Sequence, residues 1–261
     1  MKLSISNIAL NDENNVQIYE YMQKYGFSGL EIAPIKIFPQ NPYDKIEEAK
    51  LWAQNLKEKY GFVIPSMQSI WYGKTEKIFA SAEDRQILIN YTKKAIDFAS
   101  VIGCKNLVFG CPKNRNIENK SDYDIALEFF REIGDYAYSK NTVIGMEANP
   151  AIYNTNFITD TKSAIDLVKK VNSKGFKLNL DVGTIIQNEE DYNELKDNVA
   201  LINHVHISEP YLEKIQQRDL HKEIINILKN ENYGGYISIE MKQQENLQEV
   251  ENIMKYVNEV I

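Results

Sequence analysis

Hydrophobic and polar positions divide the chain into short apolar runs that alternate with longer amphipathic segments. The runs are rich in β-branched residues, as expected for buried strands, and the segments between them repeat apolar residues at helical spacing. One such repeat comprises Ile87, Tyr91, Ala95, Ile96 and Ala99. The pattern predicts eight strands, beginning near Lys2, Gly29, Phe62, Lys105, Thr142, Phe176, Leu201 and Tyr236.

Residues that begin and end helices agree with this division. A serine followed three residues later by an aspartate is close to a capping box, which satisfies the free amides of a first helical turn. Gly103 and Gly175 each separate a helical segment from the next strand, where a left-handed residue is expected. The predicted caps are Ser81 with Asp84, Ser121 with Asp124, and either Thr159 or Asp160 for the fifth helix.

This strict alternation predicts an α/β fold with a parallel sheet. Eight strand–helix units in 261 residues favour closure into one (β/α)8 TIM barrel that occupies residues 1–261 as a single domain. An open doubly wound sheet is the alternative, but no Gly-x-Gly-x-x-Gly turn follows any predicted strand.

Four strand-like runs in the second half each end in a residue that can bind a metal ion. These residues are Glu147, Asp181, His206 and Glu240, separated by 34, 25 and 34 positions. Each gap is about the length of one strand–helix unit, so consecutive barrel strands would present all four side chains at the same face. Three carboxylates and an imidazole inside a barrel need compensation, which one divalent cation would provide.

The donor set also predicts the kind of metal. Three oxygen ligands and one nitrogen favour Mn²⁺ or Mg²⁺, with Co²⁺ and Zn²⁺ as replacements. A structural zinc site would instead need thiolates at close spacing, a pattern that Cys104 and Cys111 do not form. Open coordination positions would admit a substrate carbonyl and an adjacent hydroxyl.

Composition narrows the partners. The chain is 43% hydrophobic and 26% charged, as in globular proteins, and its net charge of -7 does not favour binding to nucleic acid. No run approaches the roughly 20 apolar residues of a membrane span, and the first residues do not resemble a secretion signal. We therefore expect a cytoplasmic protein with reduced cysteines and a small-molecule substrate, and the oligomeric state stays open.

The order Glu, Asp, His, Glu on strands five to eight resembles the sugar phosphate isomerase/epimerase family of xylose-isomerase-like TIM barrels. Two further stretches carry the resemblance, Gly-Leu-Glu-Ile at Gly29 to Ile32 and Asn-Tyr-Gly-Gly-Tyr-Ile-Ser-Ile-Glu at Asn232 to Glu240. It extends over essentially the whole chain. The family includes ketose 3-epimerases, hydroxypyruvate isomerase, inosose dehydratase and, more distantly, endonuclease IV.

The resemblance implies that Glu147, Asp181, His206 and Glu240 bind one divalent metal, with Glu147 and Glu240 as catalytic acid and base on opposite faces of a sugar. A metal that polarises a carbonyl makes the neighbouring C–H proton easier to remove and stabilises the enediolate that follows. The epimerases carry a histidine where this chain has Thr184 and an arginine where it has Leu212, whereas Glu209 matches. These two differences argue against a ketose 3-epimerase substrate, and they do not affect the assignment to the superfamily.

Further polar and aromatic residues are predicted on the catalytic side of the barrel. Lys113 and Arg115 follow the fourth strand and could grip a phosphate or carboxylate, or simply be solvated. His204 shares a face with His206 and is expected in the core beneath it. The predicted substrate-binding residues are Gln68, Trp71, Lys113, Arg115, Asn149, Thr184, Glu209 and His221.

The leading prediction is therefore a metal-dependent isomerase or epimerase of a small sugar, sugar phosphate or polyol. A lyase of the inosose dehydratase type on the same scaffold is the main alternative. An endonuclease IV-like activity would need several zinc ions and many imidazoles, and the chain has 3 histidines. A non-catalytic sugar-binding barrel is the remaining alternative.

Overall fold

The computed structural model describes residues 1–11 and 15–261. Within them, seven parallel strands form one curled sheet in the order β2-β1-β7-β6-β5-β4-β3. Seven of the eight predicted strands are therefore confirmed. The strands are β1 Lys2–Ser6, β2 Phe27–Glu31, β3 Leu107–Phe109, β4 Ile144–Glu147, β5 Phe176–Asp181, β6 Ile202–Ile207 and β7 Tyr236–Ile239.

The third predicted strand, near Phe62, is the one that is not formed as a regular strand. Its segment makes isolated parallel bridges, in which Val63 pairs with Gly29 of β2 and Met67 pairs with Leu107 of β3. Pro65 explains the interruption, because proline has no backbone N–H to donate to a sheet ladder. The segment thus lies between β2 and β3, the two edge strands of the sheet. The α/β fold is therefore consistent with a TIM barrel, although only seven of its strands are regular among the described residues.

Nine α-helices lie within the described residues, and most of them connect consecutive strands. Among these residues, no helix combines the length and the apolar character needed to cross a membrane. The helices are α1 Asn15–Lys24, α2 Pro34–Ile37, α3 Ile46–Tyr60, α4 Ala82–Val101, α5 Asp122–Ser139, α6 Thr161–Val171, α7 Val182–Asn188, α8 Asp219–Asn230 and α9 Leu247–Val260.

The predicted helix caps are confirmed at two positions. Ser81 accepts a hydrogen bond from the Asp84 backbone N–H at the start of α4, and Asp160 does the same from Ser163 at the start of α6. The prediction for Ser121 is wrong, because its side chain makes no capping hydrogen bond. There, the Asp122 carboxylate instead accepts hydrogen bonds from the backbone N–H groups of residues 118 and 119.

The two glycines predicted to be left-handed differ. Gly103 has a φ of 75°, as expected. Gly175 is not left-handed, so that prediction is wrong, and its role is close packing. A Cβ added there would lie 2.0 Å from the Gly134 carbonyl oxygen and 2.6 Å from the Tyr138 nitrogen, because α5 presses directly against this turn.

We therefore expect Gly175→Ala to destabilise the fold by about 3 kcal/mol, near the upper end of the usual cost of overpacking. Gly234→Ala is the matched control, because a Cβ there meets no atom within 4 Å. Chemical denaturation of both variants measures the difference. Equal unfolding midpoints for the two would contradict the packing role of Gly175.

The alternation of side chains along β6 separates two environments. His204 and His206 point into the barrel, whereas Ile207 packs outward beside Ile225 of α8 and Tyr256 of α9. Because parallel strands end at the same edge, the inward-facing ends of β4 to β7 meet at the carboxyl-terminal face of the barrel.

Candidate metal centre

The four predicted ligand residues converge at the carboxyl-terminal end of the sheet. Glu147 ends β4, Asp181 ends β5, His206 lies in β6 and Glu240 directly follows β7. Each offers one ligand atom, and these atoms all lie within 4.8 Å of one another. His206 Nδ1 is 3.0 Å from Glu147 Oε1 and 3.1 Å from Glu240 Oε2. Two glutamates therefore contact the same imidazole nitrogen.

The electrostatics of this cluster are unfavourable without a cation. Burial raises the pKa of Glu240 to about 7, and the charges of Glu147 and Asp181 act in the same direction. Burial and Glu147 also raise the pKa of Asp181. Although burial opposes it, the charges of Glu240 and Glu31 hold the pKa of His206 well above its usual value.

These residues fit a divalent cation. Three carboxylates and one imidazole nitrogen form a mainly oxygen donor set of the kind that Mn²⁺ and Mg²⁺ prefer. A cation bound by all four residues would compensate the negative charges of the three carboxylates, which lie close together in a buried space.

Amide side chains hold Glu147 in place. The side-chain N–H groups of Asn179 and Asn149 donate to its two carboxylate oxygens at 2.8 and 3.2 Å. Asn149 is itself fixed by Arg115, whose Nη2 donates to Asn149 Oδ1 at 2.7 Å and to the Glu147 carbonyl oxygen at 3.1 Å. Both Asn149 and Arg115 were predicted as substrate contacts, and in the structure their side chains hold Glu147 in place.

The position of Arg115 corrects its predicted role at the rim. Its side chain is fully buried, and burial lowers the pKa of the guanidinium to about 10. A guanidinium in this position stabilises the end of β4 and is not open to a solvent-borne phosphate. Lys113, its predicted companion, lies exposed in the turn Pro112–Asn114. The structure therefore does not bring the two cations together as an anion site.

Asp181 is fixed by the start of α7, for which it is the N-cap. The Thr184 backbone N–H donates to Asp181 Oδ2 at 2.8 Å, and the Thr184 hydroxyl lies 2.8 Å from the same oxygen. The Ser208 hydroxyl donates to the other oxygen, Oδ1. Thr184, predicted as a substrate contact, is 1% exposed and instead orients the Asp181 carboxylate.

A fourth carboxylate, that of Glu31 at the end of β2, lies beneath the cluster and was missed from the sequence. It is fully buried, and its Oε2 is 3.0 Å from Nε2 of His206 and 3.0 Å from Nε2 of His204. Despite burial, these two imidazoles hold the pKa of Glu31 well below its usual value. The signal that could have found it is the acidic end of the second strand within Gly-Leu-Glu-Ile.

Gln68 belongs to this lower layer. Its Nε2 donates to Ser6 Oγ at 2.7 Å and to Glu31 Oε1 at 3.1 Å. Gln68, predicted as a substrate contact, thus holds Glu31 through its side-chain amide. His204, expected in the core beneath His206, lies there and is 1% exposed.

Two other predicted contacts lie outside the site. Trp71 is 4% exposed, donates its indole N–H to Thr92 of α4 at 2.8 Å and packs against Phe109. His221 lies in α8 with its Nδ1 2.9 Å from the Tyr256 hydroxyl of α9, and burial lowers its pKa to about 4. Both residues stabilise helix packing, and neither faces the cluster.

Glu209 forms an ion pair that the sequence did not predict. Arg218 donates through Nε and Nη2 to the two Glu209 oxygens, both at 2.7 Å. Glu209 is 5% exposed, so this bidentate contact compensates a buried charge. Because the partners are nine residues apart within one long loop, no strand or helix spacing indicated the contact.

Comparison with known proteins agrees with this architecture. The structure is similar to a 3-keto-D-glucoside 4-epimerase from E. coli, with a TM-score of 0.77, 19% identity and 100% of both chains covered. A sugar phosphate isomerase/epimerase from Parabacteroides distasonis gives a TM-score of 0.73 at 15% identity, covering 98% of this chain and 92% of that one. The probable 3-DHS dehydratase of Bacillus anthracis gives a TM-score of 0.70 at 16% identity, covering 100% of this chain and 98% of that one.

These structural neighbours are enzymes, among them sugar epimerases and isomerases. None of the curated proteins compared with the chain matches its sequence. At the level of families, residues 19–259 match the xylose isomerase-like TIM barrels. The match spans nearly the whole chain and confirms the resemblance drawn from the strand ends: the chain belongs to the xylose isomerase-like TIM barrel family.

Proposed function

We propose that the protein is a divalent-metal-dependent isomerase or epimerase of a small sugar, sugar phosphate or polyol. The observation that carries this proposal is the convergence of Glu147, Asp181, His206 and Glu240 at one end of the barrel. Epimerases and isomerases of sugars among the structural neighbours support it. The proposed cofactor is one ion, Mn²⁺ or Mg²⁺, with Co²⁺ and Zn²⁺ as replacements.

The metal ligands in this proposal are Glu147, Asp181, His206 and Glu240. When bound, a divalent cation polarises a substrate carbonyl and so acidifies the adjacent C–H group. His206 presents Nδ1 to the cluster because its Nε2 faces Glu31 at 3.0 Å. Asp181 is held at both oxygens, by Thr184 and Ser208, so its carboxylate is preorganised.

Proton transfer in this proposal belongs to the two glutamates. Glu147 and Glu240 approach His206 Nδ1 through separate carboxylates at 3.0 and 3.1 Å, so they flank one point in the site. One removes the proton next to the carbonyl, and the other returns a proton to the substrate. Return to the opposite face of the same carbon gives an epimer, and return to the neighbouring carbon gives an isomer.

A lyase is the second candidate, and the similarity to the probable 3-DHS dehydratase favours it. The same proton abstraction would then be followed by loss of a β-hydroxyl as water. Product mass separates the two reactions, because an isomer keeps the mass of its substrate and a dehydration product loses one water.

The experiment is proton exchange in D₂O. The protein, loaded with Mn²⁺, is incubated with a panel of ketoses, ketose phosphates and inososes, and deuterium at carbon is followed by NMR and mass spectrometry. We expect metal-dependent deuterium incorporation with at least one substrate and none after removal of the metal by a chelator. Binding of panel sugars without exchange would contradict the enzymatic proposal and support a sugar-binding barrel.

A further inference from the structure

Two tyrosines join the loops that follow β4 and β6. Tyr153 ends the turn Ala151–Tyr153, and Tyr211 lies in the turn Pro210–Leu212. The Tyr211 backbone N–H donates to the Tyr153 hydroxyl at 2.7 Å, and the ring centroids are 5.7 Å apart with an interplanar angle of 65°. The loops after the strands of Glu147 and His206 are therefore clamped together by an aromatic pair.

This pair is close to the metal cluster. The Thr184 hydroxyl lies 2.9 Å from the Ala148 carbonyl oxygen and 2.8 Å from Asp181 Oδ2, which ties the start of the loop that carries Tyr153 to a ligand residue. A Cβ at Gly183 would lie 3.3 Å from both Asp181 Oδ2 and the Glu209 carbonyl carbon, so the loop that carries Tyr211 passes the same residue. Tyr153 is half-buried, whereas Tyr211 is 59% exposed. One edge-to-face pair therefore extends from beside the carboxylates out to the solvent.

The backbone at Tyr211 is strained although its side chain is exposed. Tyr211 has φ 58° and ψ 22°, and Leu212 follows with φ 55°, so two consecutive residues with side chains are left-handed. Hydrogen bonds hold this shape, including Lys242 N–H to the Leu212 carbonyl oxygen at 2.7 Å. Strain of this kind concentrates at ligand clamps, and here it presents a large exposed ring.

The charges of the same loops indicate which ligand the rings would meet. The loop 148–160 contains no lysine or arginine. In the loop 208–218, Lys214 pairs with Glu249 at 2.9 Å and Arg218 pairs with Glu209 at 2.7 Å. A phosphate near the rings would thus lie close to carboxylates, and every lysine and arginine of these two loops is already paired with a carboxylate. An uncharged ligand would avoid the free-energy cost of bringing an unpaired charge there.

We infer that Tyr153 and Tyr211 form a wall that binds the apolar C–H face of an unphosphorylated sugar and thereby sets substrate specificity. Aromatic faces offer a large rigid apolar surface, and the hydroxyls of the sugar remain free to reach the polar cluster. This inference rests on the proposed sugar isomerase or epimerase function. It narrows the substrate class to a free sugar in preference to its phosphate ester.

The test compares Tyr211→Asn with Tyr211→Phe. Asparagine tolerates the left-handed conformation and removes the ring, whereas phenylalanine keeps the ring, so the pair separates stacking from backbone shape. D₂O exchange kinetics are measured with D-fructose, D-ribulose and their phosphate esters on the Mn²⁺-loaded protein. For the best free sugar, Tyr211→Asn should raise KM about tenfold and change kcat by less than about threefold, because a stacking contact stabilises ground and transition states alike.

The results distinguish failure of the tyrosine wall from failure of the isomerase proposal. Tyr211→Phe should keep the wild-type KM, and the wild-type protein should process the free sugars with higher kcat/KM than their phosphates. An unchanged KM in Tyr211→Asn, or a preference for phosphate esters, would overturn the wall while leaving the isomerase proposal intact. Absence of exchange with every sugar in the wild-type protein would overturn both.

Discussion

Replacing Glu240 with glutamine is expected to abolish proton exchange, with a loss of at least about 10³-fold at saturating Mn²⁺. Glutamine keeps the size of the side chain and removes the carboxylate that faces His206 Nδ1 at 3.1 Å. Glu147→Gln should have a comparable effect. D₂O exchange, measured with the best substrate of the panel, checks both variants. Exchange that persists in both would contradict the acid–base assignment.

Two controls accompany these variants. Glu20→Gln removes an exposed carboxylate on α1 and should leave exchange unchanged. Metal-free Glu240→Gln should unfold at a higher temperature than the metal-free wild-type protein at pH 8. Burial raises the pKa of Glu240 to about 7, so stability falls as the pH rises from the ordinary glutamate pKa to about 7, and the full cost of the ionised carboxylate is present at pH 8. A lost activity with a lower unfolding temperature would indicate misfolding instead.

Replacing Glu31 with glutamine is expected to lower Mn²⁺ affinity about 10- to 100-fold, the usual cost of removing a carboxylate that supports a metal-binding histidine. Glu31 Oε2 lies 3.0 Å from His206 Nε2, so it fixes the ring with Nδ1 towards the cluster. Isothermal titration calorimetry measures the affinity. Glu20→Gln, an exposed position on α1, is the control that should bind as the wild type.

An unchanged affinity in Glu31→Gln would show that His206 is oriented without this carboxylate. Gln68 donates to the other oxygen of Glu31 at 3.1 Å, so the substituted amide can keep one hydrogen bond in the lower layer. The variant therefore tests the charge of Glu31 more than its packing. Thermal unfolding of the metal-free protein should accompany the titration to verify the fold.

The sequence predicted those features that recur once in each strand–helix unit. Seven strands and the convergence of the four strand-end residues follow from apolar runs and from gaps of one strand–helix unit. The third predicted strand failed because Pro65 interrupts hydrogen bonding, a local effect that hydrophobicity does not report. The prediction of a left-handed conformation at Gly175 was wrong for a different reason, because this glycine is needed for close packing against α5, which is a tertiary contact.

Predictions for the surroundings of the site depended on where loops fold back, and these were weaker. Arg115 was expected at the rim from its place after a strand, yet it turns inward to Asn149 and the Glu147 carbonyl. The Tyr153–Tyr211 contact joins loops 58 residues apart in the chain. Neither spacing nor composition indicates such contacts, because loop conformation is decided by tertiary packing.

The most direct test of the central claim is anomalous diffraction from crystals grown with Mn²⁺. The account predicts one anomalous peak per chain, within bonding distance of Glu147, Asp181, His206 and Glu240, with the imidazole bound through Nδ1. Manganese held by other residues, or no peak at these four side chains at saturating Mn²⁺, would contradict it.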